Sequence, residues 1–194
     1  DVICLGNHEF DYGLSHLLFL EKVANFPIVN ANLYIKPFSK RLMRPFVTLE
    51  KAGLDILITG IITEKVMDSI RTDALISSFV SLEEASNEVG RICNAYKGED
   101  IELTILLTHI GIDSDLELAR LLRPEWGVDL IIGGHSHTYL ERPLLENGVI
   151  IVTAGEGTNQ IGRLDLVVDE DTNSVADYQW QLVPIDDTHL RPDE

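Results

Sequence analysis

A chain of 194 residues, 45% hydrophobic and 24% charged, has the composition of one globular domain, long enough to bury about 70% of its unfolded surface, which excludes extensive disorder. Its 32 acidic residues against 15 basic ones, a net charge of −17, oppose binding to a nucleic acid polymer; small phosphorylated molecules stay open, because bound cations reverse the local field. No run approaches the ~18 apolar residues of a membrane helix, and Cys4 and Cys93 are too few for a disulfide framework, so both read as small apolar core residues.

In chain order, Val2-Ile3-Cys4-Leu5 predicts a first strand that stops at Gly6-Asn7-His8-Glu9, with Asp11 close behind. Leu14, Leu17, Leu18, Leu20 and Val23 predict a helix packed on the sheet; Pro27 stops it, and Ile28-Val29 leads into Asn30-Ala31-Asn32. Residues 46–51 and 54–61 flank Ala52-Gly53 as a β-hairpin, whereas 63–79 holds no sustained period and reads as mixed helix and loop. Ser81 with Glu84 forms a capping box, and Leu82, Ala85, Val89, Ile92 and Tyr96 follow at helical spacing. Residues 103–107 predict a strand, 116–122 a short helix ended by Pro124, and 129–132 another strand. Strands are then expected over 149–153, 163–168 and 175–183, the last two joined by a turn at Asp171-Thr172-Asn173-Ser174. Gly155, Gly157 and Gly162 flank Glu156 in a glycine-rich loop that reads first as a turn, and 186–194 is a charged tail.

Polar segments sit just past the apolar runs: Gly6-Asn7-His8-Glu9, Asn30-Ala31-Asn32, Thr108-His109-Ile110-Gly111 and Gly133-Gly134-His135-Ser136-His137. In α/β sheets the ligand site lies beyond the carboxyl ends of the strands, so Asn7, His109, His135 and His137 are candidates to converge there. Imidazole nitrogen and amide oxygen together suit several divalent metals, and a pair of such ions can activate a phosphoryl group. His8, beside the candidate ligand Asn7, is placed to give a proton rather than bind metal. Asp11, three residues on, would accept its other ring N–H and fix the tautomer. Asn30 and Asn32 fit a turn as well as they fit substrate contact.

On G-N-H-E-F-D at 6–11, N-A-N at 30–32, T-H-I-G at 108–111 and G-H-S-H at 134–137, the chain resembles the calcineurin-like metallophosphoesterases. Within them it is similar to the branch of 5′-nucleotidases, UDP-sugar hydrolases and 2′,3′-cyclic-nucleotide phosphodiesterases. The resemblance implies an α/β fold, a two-sheet sandwich flanked by helices. It also implies two divalent metal ions, with Zn, Mn, Fe, Co and Mg not distinguished: Asn7, His109 and His135 on one ion and His137 on the other. His8 and Asp11 would be the catalytic dyad. The implied reaction is hydrolysis of a small phosphorylated substrate, a nucleotide first. The alternatives are cyclic-nucleotide phosphodiesterase, UDP-sugar hydrolase or thiohydrolase activity, or a non-catalytic binding module on a decayed phosphoesterase fold. An extracellular, periplasmic or cell-surface location is implied in the same way.

Two departures qualify the match. The D-x-H and G-D-x-x-D elements of the family do not precede Asp1, so 1–185 is expected to be a partial domain, incomplete at its N-terminus and inactive alone. Residues 186–194 would then start a connection to a C-terminal domain. His137 stands where several nucleotidases of the branch carry Gln or Asn, which blurs the substrate assignment.

Overall fold

The computed structural model describes residues 1–35, 38, 40–63, 76–78 and 81–186. In chain order these form β1 (Ile3–Cys4), α1 (Leu14–Val23), β2 (Ile28–Val29), β3 (Leu33–Ile35), β4 (Lys40–Arg41), β5 (Phe46–Lys51), β6 (Leu54–Ile62), β7 (Ile76–Ser78) and α2 (Leu82–Ala95). There follow β8 (Leu103–His109), α3 (Ile112–Leu121), β9 (Leu130–Ile132), β10 (Leu144–Glu146), β11 (Val149–Val152), β12 (Gln160–Asp169) and β13 (Ser174–Pro184), with single 3₁₀ turns at His8–Phe10 and Pro124–Trp126.

The apolar runs of β6, β8, β9 and β11 lie side by side and parallel at the centre of a six-stranded sheet ordered β10-β11-β9-β8-β6-β5, whose two edge strands are antiparallel. Such strands can be apolar throughout because both faces are covered. Alternate side chains divide between the faces. Leu57, Ile61, Leu106, Ile131 and Ile151 meet α2 and α3 through Ala85, Val89, Ile92, Leu118 and Ala119. Ile58 faces Val29 on the other side, and Leu130, Ile150 and Val152 meet Leu164, Leu166, Tyr178 and Trp180 of the β12–β13 ribbon.

The second layer is thus made of two ribbons, parallel β1–β2 and antiparallel β12–β13, that share no strand pairing among the described residues. On the far side of β1–β2, α1 contributes Leu17 to a cluster with Leu5, Phe10, Ile28, Leu33 and Ile62. The expected α/β sandwich flanked by helices is therefore present. The reading of α1 needs correction in one respect: the helix forms, but Leu18, Leu20 and Val23 are exposed, and only Leu14 and Leu17 of the five expected residues pack inward.

The N-terminus of α2 has both halves of its capping box, with Glu84 N–H donating to Ser81 Oγ at 3.2 Å and Ser81 N–H donating back to the Glu84 carboxylate. Buried Glu88 on the same helix accepts from Arg41 at 2.8 Å, from Arg91 and from the Tyr34 hydroxyl at 3.2 Å, tying α2 to β3 and β4. Helix α3 starts four residues before the expected 116, because Gly111 at φ 87° caps it and Asp113 and Asp115 favour its first turn. The hairpin at Ala52-Gly53, the 103–107 and 149–153 strands and the β12–β13 pair stand where the pattern puts them. The expected mixed segment 63–79 lies outside the described residues except for Thr63 and β7, and so does the tail beyond Asp186. Among the described residues no helix is long and apolar enough to cross a membrane.

Register brings the functional edge together: Ile62 pairs with His109, Leu107 with Ile132, and Ile132 with Val152. The carboxyl ends of β6, β8, β9 and β11 therefore open on one side.

Candidate metal centre and proton donor

Past β1 the chain makes a 3₁₀ turn, pinned by buried Phe10 and closed by hydrogen bonds from Phe10 N–H to Asn7 O and from Asp11 N–H to His8 O. Residues three apart are eclipsed in that geometry. His8 Nδ1 accordingly meets Asp11 Oδ2 at 2.9 Å. The His8 side chain is 79% exposed, so its Nε2 faces solvent at the edge of the site.

His109 is the last residue of β8, and its Nε2 donates to the amide oxygen of Asn7 at 2.7 Å. Gly6 makes this approach feasible: a Cβ there would lie 2.8 Å from His109 Cε1 and 2.9 Å from Nδ1. The His135 ring stands 5.1 Å from that of His109, centroid to centroid. His135 and His137 take left-handed backbone angles, φ 83° and 54°, which non-glycine residues adopt at a cost and which concentrate at functional sites. His137 Nδ1 lies 2.5 Å from Glu156 Oε2 in the loop after β11.

Electrostatics favour neutral imidazoles at the centre. His109 has its pKa lowered below 6.5, first by burial and then by the field of His135. His135 is lowered by burial, then by His137 and His8. A neutral ring keeps the lone pair that a metal needs.

The donor set fits a divalent ion. Two atoms each ~2.0–2.2 Å from a common ion are separated by about 3 Å at near-right angles, and Asn7 Oδ1 and His109 Nε2 are within a few tenths of an ångström of that spacing; an ion there would take the place of the Nε2 proton, with the ring's proton carried on Nδ1. Among the described residues no three His, Cys, Asp or Glu side chains converge; the candidate set is an amide oxygen beside two imidazoles.

Asn30 and Asn32 do not serve as substrate contacts in this structure. Both are 0% exposed. The Asn30 amide oxygen accepts from Asn32 N–H and Leu33 N–H, while Asn32 donates to Ile62 O at 2.6 Å and accepts from Ile62 N–H at 3.2 Å. They close the backbone where β2 and β6 end, on the side of β6 opposite β8, where the pairing with β5 has stopped at Phe46 and Thr59.

Three acidic residues near the site receive no role from the sequence, although Glu9 lies within its first motif. Glu9 accepts from Gly6 N–H at 2.7 Å and raises the affinity of His109 for protons, against the effect of burial. Asp115 is buried behind the strand ends: Oδ1 accepts from the Thr108 hydroxyl at 2.6 Å, and Oδ2 lies beside Gly133 without a hydrogen-bond partner. Burial pushes its pKa up to about 7. Its signal in the sequence is its place on the stripe of Leu118, Ala119 and Leu122, at helical spacing. Glu156, the third, is legible only as part of a glycine-rich loop.

Comparison with known proteins places this arrangement in context. A family model described as calcineurin-like phosphoesterase matches residues 1–139. A 5′-nucleotidase of Vibrio cholerae is 31% identical over 214 aligned positions, covering 95% of this chain and 38% of that protein. The solved 5′-nucleotidase precursor of Thermus thermophilus superposes with a TM-score of 0.79 at 26% identity, covering 94% of this chain and 38% of its own. The sulfate thiohydrolase SoxB of the same species gives a TM-score of 0.86 at 20% identity, over 98% of this chain and 34% of its own, a likeness of fold. The chain thus spans well under half the length of these relatives.

Proposed function

The chain belongs to the calcineurin-like phosphoesterase family, and from that premise we propose that it carries part of the active site of a metal-dependent phosphoester hydrolase acting on nucleotides. The observation that carries the reading is the His8–Asp11 pair at 2.9 Å, directly after an Asn7 whose amide oxygen already meets His109 Nε2 at 2.7 Å. Asn7, His109 and His135 would hold one divalent ion, and His137 would serve a second. When bound, such ions polarise the phosphoryl group and lower the pKa of water at the reacting centre.

The chain's own residues supply the rest. Asp11 accepts the Nδ1 proton of His8 and so directs Nε2 outward, where the leaving oxygen of a substrate would stand. From Nε2, His8 donates a proton to that oxygen, and the Asp11 carboxylate stabilises the charged imidazolium before transfer. Nucleotides are the proposed substrates because the two named relatives above 25% identity are 5′-nucleotidases. A non-catalytic binding module is not favoured, since binding alone gives no use for an exposed imidazole held by a carboxylate.

His8→Ala in the full-length protein tests the reading. Turnover of a nucleoside 5′-monophosphate should fall by ~10²-fold or more with metal content unchanged. Metal lost in step with activity would make His8 a ligand and defeat the assignment. Assays of AMP, UDP-glucose and 2′,3′-cyclic AMP would separate the substrate classes.

A further inference from the structure

The glycine-rich segment after β11 is joined to the histidine loop after β9 at several points. Leu140 N–H donates to Thr153 O at 3.3 Å and Thr153 Oγ1 to Thr138 O at 3.2 Å, while Tyr139 and Ala154 form an antiparallel bridge. The Tyr139 ring covers Gly155, where a Cβ would lie 2.3 Å from it, and the Tyr139 hydroxyl reaches Glu156 O at 3.4 Å. Gln160 and Trp180 anchor the two loops from behind, through Ala154 O and Leu140 O, each at 2.7 Å.

Across these joined loops the His137 and Glu156 side chains meet at 2.5 Å while remaining 61% and 55% exposed. An exposed pair contributes little to stability. A left-handed histidine opposite a carboxylate therefore calls for a reason other than folding.

We propose that Glu156 is a positioning residue: by accepting the Nδ1 proton of His137 it holds that ring in the tautomer whose Nε2 lone pair is free for a metal. Which imidazole nitrogen a metal takes is set by the hydrogen bond the other nitrogen makes. Nε2 lies on the side of the ring away from Glu156, and His137 stands two residues from His135 on the same loop. This role rests on the metal reading of the site, but the tautomer is a property of the metal-free chain.

Nitrogen-15 NMR of the metal-free protein, above the titration of His137, should show the Nδ1–H form dominant in wild type and in Glu156→Gln, which keeps an acceptor oxygen, and lost in Glu156→Ala. Cobalt(II) titration of the full-length protein, followed by absorption, should then show affinity at the His137 ion weakened by about 10–100-fold in Glu156→Ala, with the other ion little changed. An identical tautomer in wild type and Glu156→Ala overturns the proposal, and so does a tautomer change without any change in affinity. Wild type that holds the tautomer yet binds no metal would instead refute the metal reading on which the role rests.

Discussion

Replacing Asp115 with Asn should change how the stability of the chain depends on pH, and the size of the change follows from the carboxyl group's surroundings. Asp115 is 1% exposed, with one oxygen satisfied by Thr108 and the other against the backbone at Gly133. Burial raises its pKa from 3.8 to about 7, and the Thr108 hydroxyl lowers it by less. Below 3.8 both folded and unfolded chains hold the proton, and above about 7 neither does. Between those values folding takes up a proton, so the stabilisation present at low pH is lost as the pH rises. A difference of about 3 units at about 1.4 kcal/mol each makes the swing about 4 kcal/mol. Asparagine keeps an oxygen for Thr108 and carries no charge, so Asp115→Asn should lack this swing. Urea unfolding at steps from pH 4 to pH 8, with a chelator present, would measure it. The variant should gain about 4 kcal/mol on wild type across the range. Half-buried Asp129, raised to about 6, contributes to both curves and cancels in the difference. Parallel curves would refute the reasoning and show Asp115 ionised in the folded chain throughout.

Three further outcomes are expected. Gly6→Ala would push a Cβ to 2.8 Å from the His109 ring, so calorimetric titration with manganese should show affinity reduced by about 10-fold or more, and an unchanged affinity would remove His109 from the centre. Asn32→Ala strips both backbone groups of Ile62 of their side-chain partners, and chemical denaturation should record a loss of about 2–4 kcal/mol; less than about 1 would mean the backbone finds other partners. Ser81→Ala deletes half of the capping box and should cost about 1 kcal/mol, with amide exchange quickened in the first turn of α2; no quickening would count against the cap as the source of order there.

The loops that carry the candidate ligands were readable in the sequence because each follows an apolar run that ends abruptly, and sheet geometry sends such ends to one edge. Asn7, His8, Asp11, His109 and His135 come together on that account. His137 joins them through a loop whose conformation no periodicity announces. The Asn30 and Asn32 amides offer the same donor and acceptor to a substrate or to a backbone, and what decides for Asn32 is that β5 stops pairing with β6 at Thr59, short of Ile62. Leu18, Leu20 and Val23 gave α1 its helical pattern, yet a pattern names no partner, and they lie exposed. Strands of two or three residues, such as β3, β4 and β10, are too short for alternation to register. Glu156 meets His137 across 19 positions only because β9 and β11 are neighbours in the sheet, a fact of topology.

The bond between Asn7 and His109 joins positions 102 apart in the chain, whereas the cap of α2 closes between residues three apart. Contacts of such long range come late, after the loop entropy between them has been overcome. A chain leaving the ribosome exposes the first donor about a hundred residues before the second, and in that interval the two act as separate weak sites. A metal would therefore be captured by the completed sheet, adding to its stability through mass action while doing little to hasten its folding. Loading of the centre would then report that the strands carrying both donors have been made and paired.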